Sequence, residues 1–324
     1  MRKRPSHDDH RPGSTMTQRR PLAVVFPGQG AQKPGMGRDF FERYVECRAV
    51  FDTASTAVGY DMSALCFEDA ARLALTEFQQ PAILTTEIAM LEAMRAHYGW
   101  RPQLFAGHSL GEYTALVAAG VFDLADAVRL VTLRGRLMQE AVPAGAGAMT
   151  AIIHADLDIE WLRGIAASFG VDVGNHNALD QAALSGLAED VAAAVAAVKA
   201  APGRPRSIAL RVSAPFHSRH MKSVEAPLRE AIVKLPRVHA EPAVHVLSNA
   251  TGAFHTGSRP DLETRLAQQV TSTVRWVDCM RELIERDSEI VEVGPGRPLR
   301  GFFGSLGVEI RSVTSVATIV DLRS

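Results

Sequence analysis

The stretch Leu104-Phe105-Ala106-Gly107-His108-Ser109-Leu110-Gly111 carries the features on which the fold prediction depends. Its first three residues predict a short strand and residues 110–119 predict a helix, so a Gly-x-Ser-x-Gly motif occupies the turn between them. A sharp strand-to-helix turn exposes the serine hydroxyl, and the flanking glycines leave room for the turn. The helix N-terminus offers N–H groups to a developing oxyanion. Ser109 is therefore a candidate nucleophile, and an incidental tight turn is the alternative.

Strands and helices alternate on both sides of this turn. Upstream, residues 22–26 predict a buried strand that closes at Pro27-Gly28, and helical patterns follow at 39–56 and 81–98. Downstream, Asp123 stands at the N-cap position of a helix at 124–140. This alternation predicts an α/β fold with a mainly parallel sheet.

The pattern changes within residues 148–212, where two helices are interleaved with four strands in the order βαββαβ, which is ferredoxin-like. The predicted elements are strand 149–154, helix 158–168, strands 171–175 and 182–185, helix 188–200 and strand 207–212. We expect this small domain to be inserted into a larger one made of residues 21–147 and 213–324. Its second part contains a helix at 221–235, a strand at 244–248, a helix at 278–285 and a strand at 290–293. Residues 1–20 are basic and polar and predict a disordered leader, unless translation starts at Met16.

Composition excludes several classes of protein. The 324 residues carry 35 Lys and Arg against 36 Asp and Glu, a formal net charge of −1, which argues against a nucleic-acid binder. The three cysteines, Cys47, Cys66 and Cys279, form no CxxC pair, so neither a structural metal site nor a disulfide framework is expected. No apolar run reaches the roughly 18 residues that span a bilayer. We expect a cytoplasmic protein that binds no membrane, nucleic acid or metal.

A serine nucleophile needs a base, and 11 histidines are available. Those expected in the leader or in solvent are His7, His10, His97, His239 and His255. His108 adjoins the serine, with its ring expected to point away from the hydroxyl. His217 follows a predicted strand in the segment Ser213-Ala214-Pro215-Phe216-His217, and His220 is its rival. Arg134 lies on an apolar helix face, where a surface arginine with its stem along the core is the simplest interpretation.

Several segments together resemble the malonyl-CoA:acyl carrier protein transacylases. They are Phe26-Pro27-Gly28-Gln29-Gly30-Ala31-Gln32, Gly107-His108-Ser109-Leu110-Gly111-Glu112-Tyr113, Arg134-Gly135-Arg136-Leu137-Met138-Gln139-Glu140-Ala141, Phe216-His217-Ser218, Gln269 with Trp276, and Glu292-Val293-Gly294-Pro295-Gly296. The segments follow the order of the family and extend from residue 22 to about 305. The resemblance implies an α/β-hydrolase-like large domain carrying a ferredoxin-like insertion.

The resemblance also implies roles in the reaction. Ser109 would take the acyl group, and His217 would be its general base, oriented by the backbone carbonyl of Gln269 rather than by a carboxylate. The backbone N–H groups of Gln29 and Leu110 would form the oxyanion hole, for which one donor is typically worth about 3 kcal/mol. His108 would line the site.

Substrate choice follows from the same comparison with the family. The residue matching Arg134 grips the free carboxylate of malonyl, a task for which a planar guanidinium is suited. Phe216 before the histidine and Leu110 after the serine are typical of malonyl rather than methylmalonyl enzymes. Asn175 and Asn177 match pocket asparagines, although Asn175-His176-Asn177-Ala178-Leu179 lacks the Ser-Pro pair that many members have.

The predicted function is transfer of malonyl from malonyl-CoA to the phosphopantetheine thiol of an acyl carrier protein, for fatty acid or polyketide synthesis. No permanently bound cofactor is expected. The basic residues expected to meet an acidic carrier are Arg204, Arg206, Arg211, Arg219 and Lys222. The alternatives are an acyl hydrolase of carrier-bound thioesters, a transferase of another acyl group, and a non-catalytic scaffold that binds carrier protein. A lipase is disfavoured because no histidine follows His255.

Overall fold

The computed structural model describes residues 20–201, 203 and 205–321. The predicted leader, apart from Arg20, and the predicted carrier contact Arg204 lie outside the described residues. The strands are β1 (Leu22–Phe26), β2 (Leu104–Gly107), β3 (Gly147–Ile153), β4 (Asp172–Ala178), β5 (Gln181–Leu187), β6 (Arg206–Ala209), β7 (Glu289–Val293) and β8 (Arg311–Val313). The helices are α1 (Arg38–Arg43), α2 (Val45–Val58), α3 (Met62–Phe67), α4 (Ala70–Leu73), α5 (Thr76–His97), α6 (Leu110–Ala118), α7 (Leu124–Glu140), α8 (Ile159–Ser168), α9 (Ala188–Ala200), α10 (Lys222–Val233), α11 (Arg259–Gln269), α12 (Trp276–Glu285) and α13 (Pro298–Ser305).

A parallel sheet forms the centre of the larger part of the chain. Its strand order is β2-β1-β7-β8, and each neighbouring pair is parallel. Every residue of β1 is buried, because apolar residues cover both faces of the strand. Val24 and Phe26 pack into the core on one face, while Ala23 and Val25 pack with Trp276 on the other. The carboxyl ends of β1 and β2 therefore come together at one edge, directly before the Pro27-Gly28 turn and the serine turn.

An antiparallel sheet forms the smaller part. Its order is β4-β5-β3-β6, the order of a ferredoxin-like βαββαβ unit. Helices α8 and α9 pack together on this sheet through a separate core that includes Leu162, Val191 and Val198. The predicted fold class, a mainly parallel α/β sheet with an inserted ferredoxin-like unit, is confirmed. We propose residues 148 and 212 as the limits of the small domain.

Several predicted elements differ from the structure. The helix predicted over 81–98 begins earlier, at Thr76, and the strand predicted over 207–212 ends at Ala209. The helix predicted over 39–56 is divided into α1 and α2 by Tyr44, whose extended backbone (φ −118°, ψ 131°) cannot continue a helix. The strand predicted over 244–248 is wrong, because Glu241–His245 is a 3-10 helix and Val246 makes only an isolated bridge with Phe105. Pro242 explains the difference, since its fixed φ favours the first turn of a helix. Among the described residues, no helix is both long and apolar enough to cross a membrane.

Candidate active site

Ser109 occupies a strained turn between β2 and α6. It is the N-cap of α6, with φ 54° and ψ −103°, a conformation that costs a non-glycine residue about 1–3 kcal/mol. The two flanking glycines permit the turn: a Cβ on Gly107 would lie 1.9 Å from the backbone of Gly111, and one on Gly111 would lie 2.3 Å from the Phe26 carbonyl oxygen. The turn therefore presents the serine side chain at the carboxyl edge of the parallel sheet.

The imidazole of His217 contacts the serine directly. Its Nε2 lies 2.7 Å from Ser109 Oγ, and its Nδ1 lies 2.8 Å from the backbone carbonyl oxygen of Gln269. Because a carbonyl oxygen only accepts, Nδ1 carries the hydrogen and Nε2 is left to accept the serine proton. Gln269 is the last residue of α11, where carbonyl groups lack partners within the helix. Within the part of the chain that the structure describes, the helix end thus holds the ring and no carboxylate contacts it.

Burial keeps this imidazole neutral. His217 is 3% exposed, and burial, followed by the positive charge of Arg134, lowers the pKa of His217 to about 3. A neutral ring at physiological pH is the protonation state that a general base requires.

The segment that carries His217 is anchored from the small domain. Ser185 of β5 donates a hydrogen bond of 2.6 Å to the carbonyl oxygen of Phe216, and Arg219 pairs with Asp172 of β4 at 2.7 Å. These contacts restrain a residue whose own φ is 58°, in the left-handed region. His220, the rival base, has a buried Nε2 without a hydrogen-bond partner among the described residues, and the ring in contact with the serine is that of His217.

Arg134 is 0% exposed, so the simple interpretation of a surface arginine is wrong. Its guanidinium donates to Gln80 Oε1 and Gln269 Oε1, both at 2.8 Å, and to Ser109 Oγ at 3.2 Å. It also lies over the ring of Tyr113, 5.2 Å from the centroid. Burial lowers the pKa of Arg134 from its ordinary value, and no carboxylate of the described residues pairs with it directly. A buried cation beside the serine, bonded only to neutral groups, is suited to receive an anionic substrate.

Gln29 follows the Pro27-Gly28 turn, and Leu110 directly follows the serine. The Pro27-Gly28 turn approaches it so closely that a Cβ on Gly28 would lie 2.3 Å from the His108 carbonyl oxygen. The Gln29 side chain bonds to Gln79 at 2.8 Å and Gln80 at 3.1 Å, while Leu110 is the buried first residue of α6. Their roles as oxyanion donors stay a prediction.

The remaining predicted site residues are His108, Asn175, Asn177 and Phe216, of which His108 and Asn177 are in direct contact. His108 Nε2 lies 2.7 Å from Asn177 Oδ1, its ring packs 5.7 Å from that of Trp276, and burial lowers its pKa. Asn175 and Asn177 are both buried on β4, and Phe216 is 5% exposed within the main core. The small domain therefore contributes polar side chains beside the nucleophile.

Sequence reasoning missed three buried polar residues beneath the turn. Asn249 Oδ1 accepts from the Ser109 N–H at 2.6 Å, and Glu112 Oε2 accepts from the Asn249 N–H at 3.0 Å and from Gln269 Nε2 at 2.7 Å. The prediction that His255 lies in solvent is wrong: it is 3% exposed, with Nε2 2.9 Å from Glu112 Oε1. The sequence contains one indication of this network: Glu112 directly follows the glycine motif, which places a carboxyl group one turn along the helix that carries the nucleophile.

A cleft of about 540 Å³ opens beside Gln29, between the large domain and the segment that follows β6. Its lining includes Gln79, Leu210 and Arg211. Within the described part of the chain, no group of three or more His, Cys, Asp or Glu residues could hold a metal ion.

Comparison with known proteins gives one consistent family. Residues 23–295 match the family described as "Acyl transferase domain". A malonyl CoA-acyl carrier protein transacylase of Bacillus subtilis (strain 168) is 38% identical over 299 residues, which cover 90% of this chain and 92% of that protein. The crystal structure of a malonyl-CoA:acyl carrier protein transacylase from Xanthomonas oryzae pv. oryzae superposes with a TM-score of 0.87 at 35% identity, covering 93% and 96% of the two chains. A type II PKS acyl-carrier protein in complex with its malonyl-transacylase gives a TM-score of 0.86 at 35% identity, covering 92% and 97%.

Proposed function

The chain belongs to the acyl transferase family of the malonyl CoA-acyl carrier protein transacylases, and from that premise we propose that it transfers malonyl from malonyl-CoA to the phosphopantetheine thiol of an acyl carrier protein. The observation that supports this reaction best is the position of Ser109 Oγ, 2.7 Å from His217 Nε2 and 3.2 Å from the Arg134 guanidinium. The Ser109 hydroxyl thus contacts both a general base and a guanidinium that can bind the carboxylate of the substrate.

In the first half-reaction, Ser109 Oγ attacks the thioester carbonyl carbon while His217 Nε2 takes the hydroxyl proton. The carbonyl oxygen gains the negative charge and receives hydrogen bonds from the N–H groups of Gln29 and Leu110. Collapse of the tetrahedral intermediate breaks the carbon–sulfur bond. His217 returns its proton to the coenzyme A thiolate, and malonyl stays on Ser109 as an ester.

The second half-reaction repeats these steps with a new thiol. His217 takes the proton of the phosphopantetheine thiol, whose sulfur attacks the ester carbonyl. The carbon–oxygen bond to Ser109 breaks, and the proton returns to Oγ. Each half-reaction restores the neutral ring, which supports ping-pong transfer without a net change of protonation.

Selectivity for malonyl is assigned to Arg134 and Phe216. The buried guanidinium meets the free carboxylate, and removing one partner of such a desolvated pair costs about 2–5 kcal/mol. The Phe216 ring limits space for an α-methyl branch, an effect of about 1–3 kcal/mol. The main selection is therefore against acyl groups without a carboxylate.

The carrier protein is proposed to approach along β6, the edge strand of the small domain. Arg206 and Arg211 are exposed there, next to apolar Ile208 and Leu210, which are 47% and 36% exposed. Arg211 also lines the cleft beside Gln29. An exposed basic and apolar edge at the mouth of the cleft fits an acidic partner.

Two other basic residues predicted to meet the carrier are already paired within the chain. Arg219 is bound to Asp172 at 2.7 Å and Lys222 to Glu225 at 2.6 Å. We therefore assign the carrier contact to Arg206 and Arg211 first. We place the reaction in the cytoplasm, a setting with which three buried free cysteines agree.

An acyl hydrolase has the same serine and histidine but no need for a buried arginine at the serine. The test is to mix the purified protein with malonyl-CoA, then with carrier protein bearing phosphopantetheine, and to follow both proteins by mass spectrometry. We expect a malonyl-enzyme ester, followed by malonyl-carrier product. Free malonate without malonyl-carrier would refute the transferase and support the hydrolase. Offering a mixture of acyl-CoAs in the first step identifies the acyl group.

A further inference from the structure

Glu112 is a fully buried carboxyl group one turn along α6 from the nucleophile. Three donors from three different parts of the chain converge on it: the Asn249 N–H, the Gln269 side-chain amide and His255 Nε2, at 3.0, 2.7 and 2.9 Å. A carboxylate is an acceptor-only group, and this surrounding satisfies it in the ionised form. Buried charges are costly unless they are hydrogen-bonded and compensated, so the compensating charge must be located.

His255 does not supply that charge. Its Nδ1 is buried and has no hydrogen-bond partner among the described residues. A doubly protonated ring would leave a buried N–H unpaired, whereas the neutral tautomer with its hydrogen on Nε2 leaves none. His255 therefore acts as a neutral donor that holds Glu112 Oε1.

Arg134 carries the matching positive charge, and the Gln269 side chain joins the two. Gln269 Oε1 accepts from the Arg134 guanidinium at 2.8 Å, while Gln269 Nε2 donates to Glu112 Oε2 at 2.7 Å. The two ends of one amide thus connect a buried cation to a buried anion. Because Nε2 also donates to the Ser109 carbonyl oxygen at 2.9 Å, the amide is fixed with its oxygen toward the arginine.

This arrangement has a consequence for substrate binding. A carboxylate in direct contact with Arg134 would occupy the donors that a substrate carboxylate needs. Because the Gln269 amide separates Glu112 from Arg134, the carboxylate charge stabilises the buried guanidinium but forms no ion pair with it.

We propose that Glu112 is a positioning residue that determines acyl selectivity. It holds the counter-charge of Arg134 at the distance of one amide, where this charge stabilises the buried guanidinium but competes only weakly with the carboxylate of malonyl. This inference rests on the proposed function. Through Asn249, which accepts from the Ser109 N–H at 2.6 Å, and through Gln269, Glu112 also braces the serine turn and the carbonyl that orients His217.

Two substitutions test the position of the charge because they shift selectivity in opposite directions. Glu112→Gln keeps an acceptor oxygen for Asn249 and Gln269 but removes the charge that competes with substrate. The preference for malonyl-CoA over acetyl-CoA, measured as the ratio of second-order rate constants for acyl-enzyme formation, should then rise about threefold or more. The double substitution Glu112→Gln with Gln269→Glu keeps the net charge and moves the carboxylate onto Arg134. The same ratio should fall about 100-fold, mainly by loss of malonyl transfer.

The control is Glu263→Gln on α11, which removes a buried carboxylate paired with Arg259 outside this network and should leave the ratio unchanged. Thermal unfolding of each variant checks folding. If Glu112→Gln does not fold, the double substitution is compared with the unsubstituted protein, and a ratio that does not fall overturns the inference. A ratio that moves in the same direction in both variants, or in neither, overturns the inference. If the unsubstituted protein forms no malonyl ester, the proposed function fails instead, so the two failures are distinguishable.

Discussion

Replacing Arg134 by methionine should convert a malonyl-selective enzyme into one with little preference. Methionine retains much of the apolar stem while removing the guanidinium, which is fully buried and donates to Gln80, Gln269 and Ser109 Oγ. A malonyl carboxylate entering the variant would find no partner charge. Loss of one partner of a desolvated pair costs about 2–5 kcal/mol, which corresponds to a decrease of roughly 30-fold to several thousand-fold in the rate constant for malonyl transfer.

Acetyl-CoA provides the internal reference, because acetyl has no carboxylate to lose. Its transfer should fall only by the contribution of the 3.2 Å contact between Arg134 and Ser109 Oγ, a long hydrogen bond worth about 1.5 kcal/mol, or about tenfold in rate. Stability should fall, because Arg134→Met leaves the buried Glu112 carboxylate without its compensating charge and the amide oxygens of Gln80 and Gln269 without a donor.

The assay is acyl-enzyme formation in a single turnover, stopped with acid and read by mass spectrometry of the intact protein. Arg134→Lys is the matched control: it keeps the charge but not the planar fork, and malonyl transfer should be intermediate. Equal losses with malonyl-CoA and acetyl-CoA in Arg134→Met would assign this arginine a purely structural role and refute the reasoning.

Four further predictions concern the nucleophile, the base, its anchor and the carrier. Ser109→Ala should abolish the malonyl adduct seen as a mass shift, and an undiminished adduct would contradict its role. Burial and Arg134 lower the pKa of His217 to about 3, so the ring stays neutral as pH falls below 6.5. Single-turnover acylation should therefore keep its rate down to about pH 5. A loss of rate centred near pH 6.5 would instead show that His217 titrates as an ordinary imidazole. Ser185→Ala leaves the Phe216 carbonyl unpaired, a cost of about 1–3 kcal/mol, and should lower both thermal stability and the acylation rate. Unchanged values in both measurements would argue against anchoring from β5. Replacing Arg206 and Arg211 by glutamine should slow transfer to carrier protein at low salt but leave malonyl-enzyme formation unchanged, and an unaltered rate of transfer would reject docking along β6.

The features of the fold that the sequence predicts well are local ones. The strand before Gly107 and the helix after Ser109 are continuous apolar segments, and the βαββαβ unit has an element order that few folds share. The fold class and the family are confirmed. The strand β8 has only three residues, too few to show the alternation of apolar and polar residues that predicts a strand. It is defined by its pairing with β7.

The contacts beneath the serine could not be predicted in the same way. Asn249, His255 and Gln269 are 140 or more residues from the nucleophile turn, and no spacing in the sequence brings them there. His255 is flanked by polar or loop residues, which predicts a position in solvent, yet tertiary packing buries it against Glu112. The predicted roles of Ser109, His217 and the other site residues remain predictions, for which the observed distances provide a geometric basis.

Among the described residues no carboxylate contacts the His217 ring, and the proposed substrate accounts for this. An acidic residue at this place would orient the ring, but it would also put a negative charge in the pocket where we propose that Arg134 holds the malonyl carboxylate, and it would compete for that guanidinium. The carbonyl at the end of α11 orients Nδ1 at 2.8 Å without a net charge. The acidic residue that the site does contain, Glu112, is separated from Arg134 by the Gln269 amide. Under the proposed function, the neutral orienting carbonyl and the distant counter-charge meet the same requirement, which is that the first full negative charge to contact Arg134 belongs to the substrate.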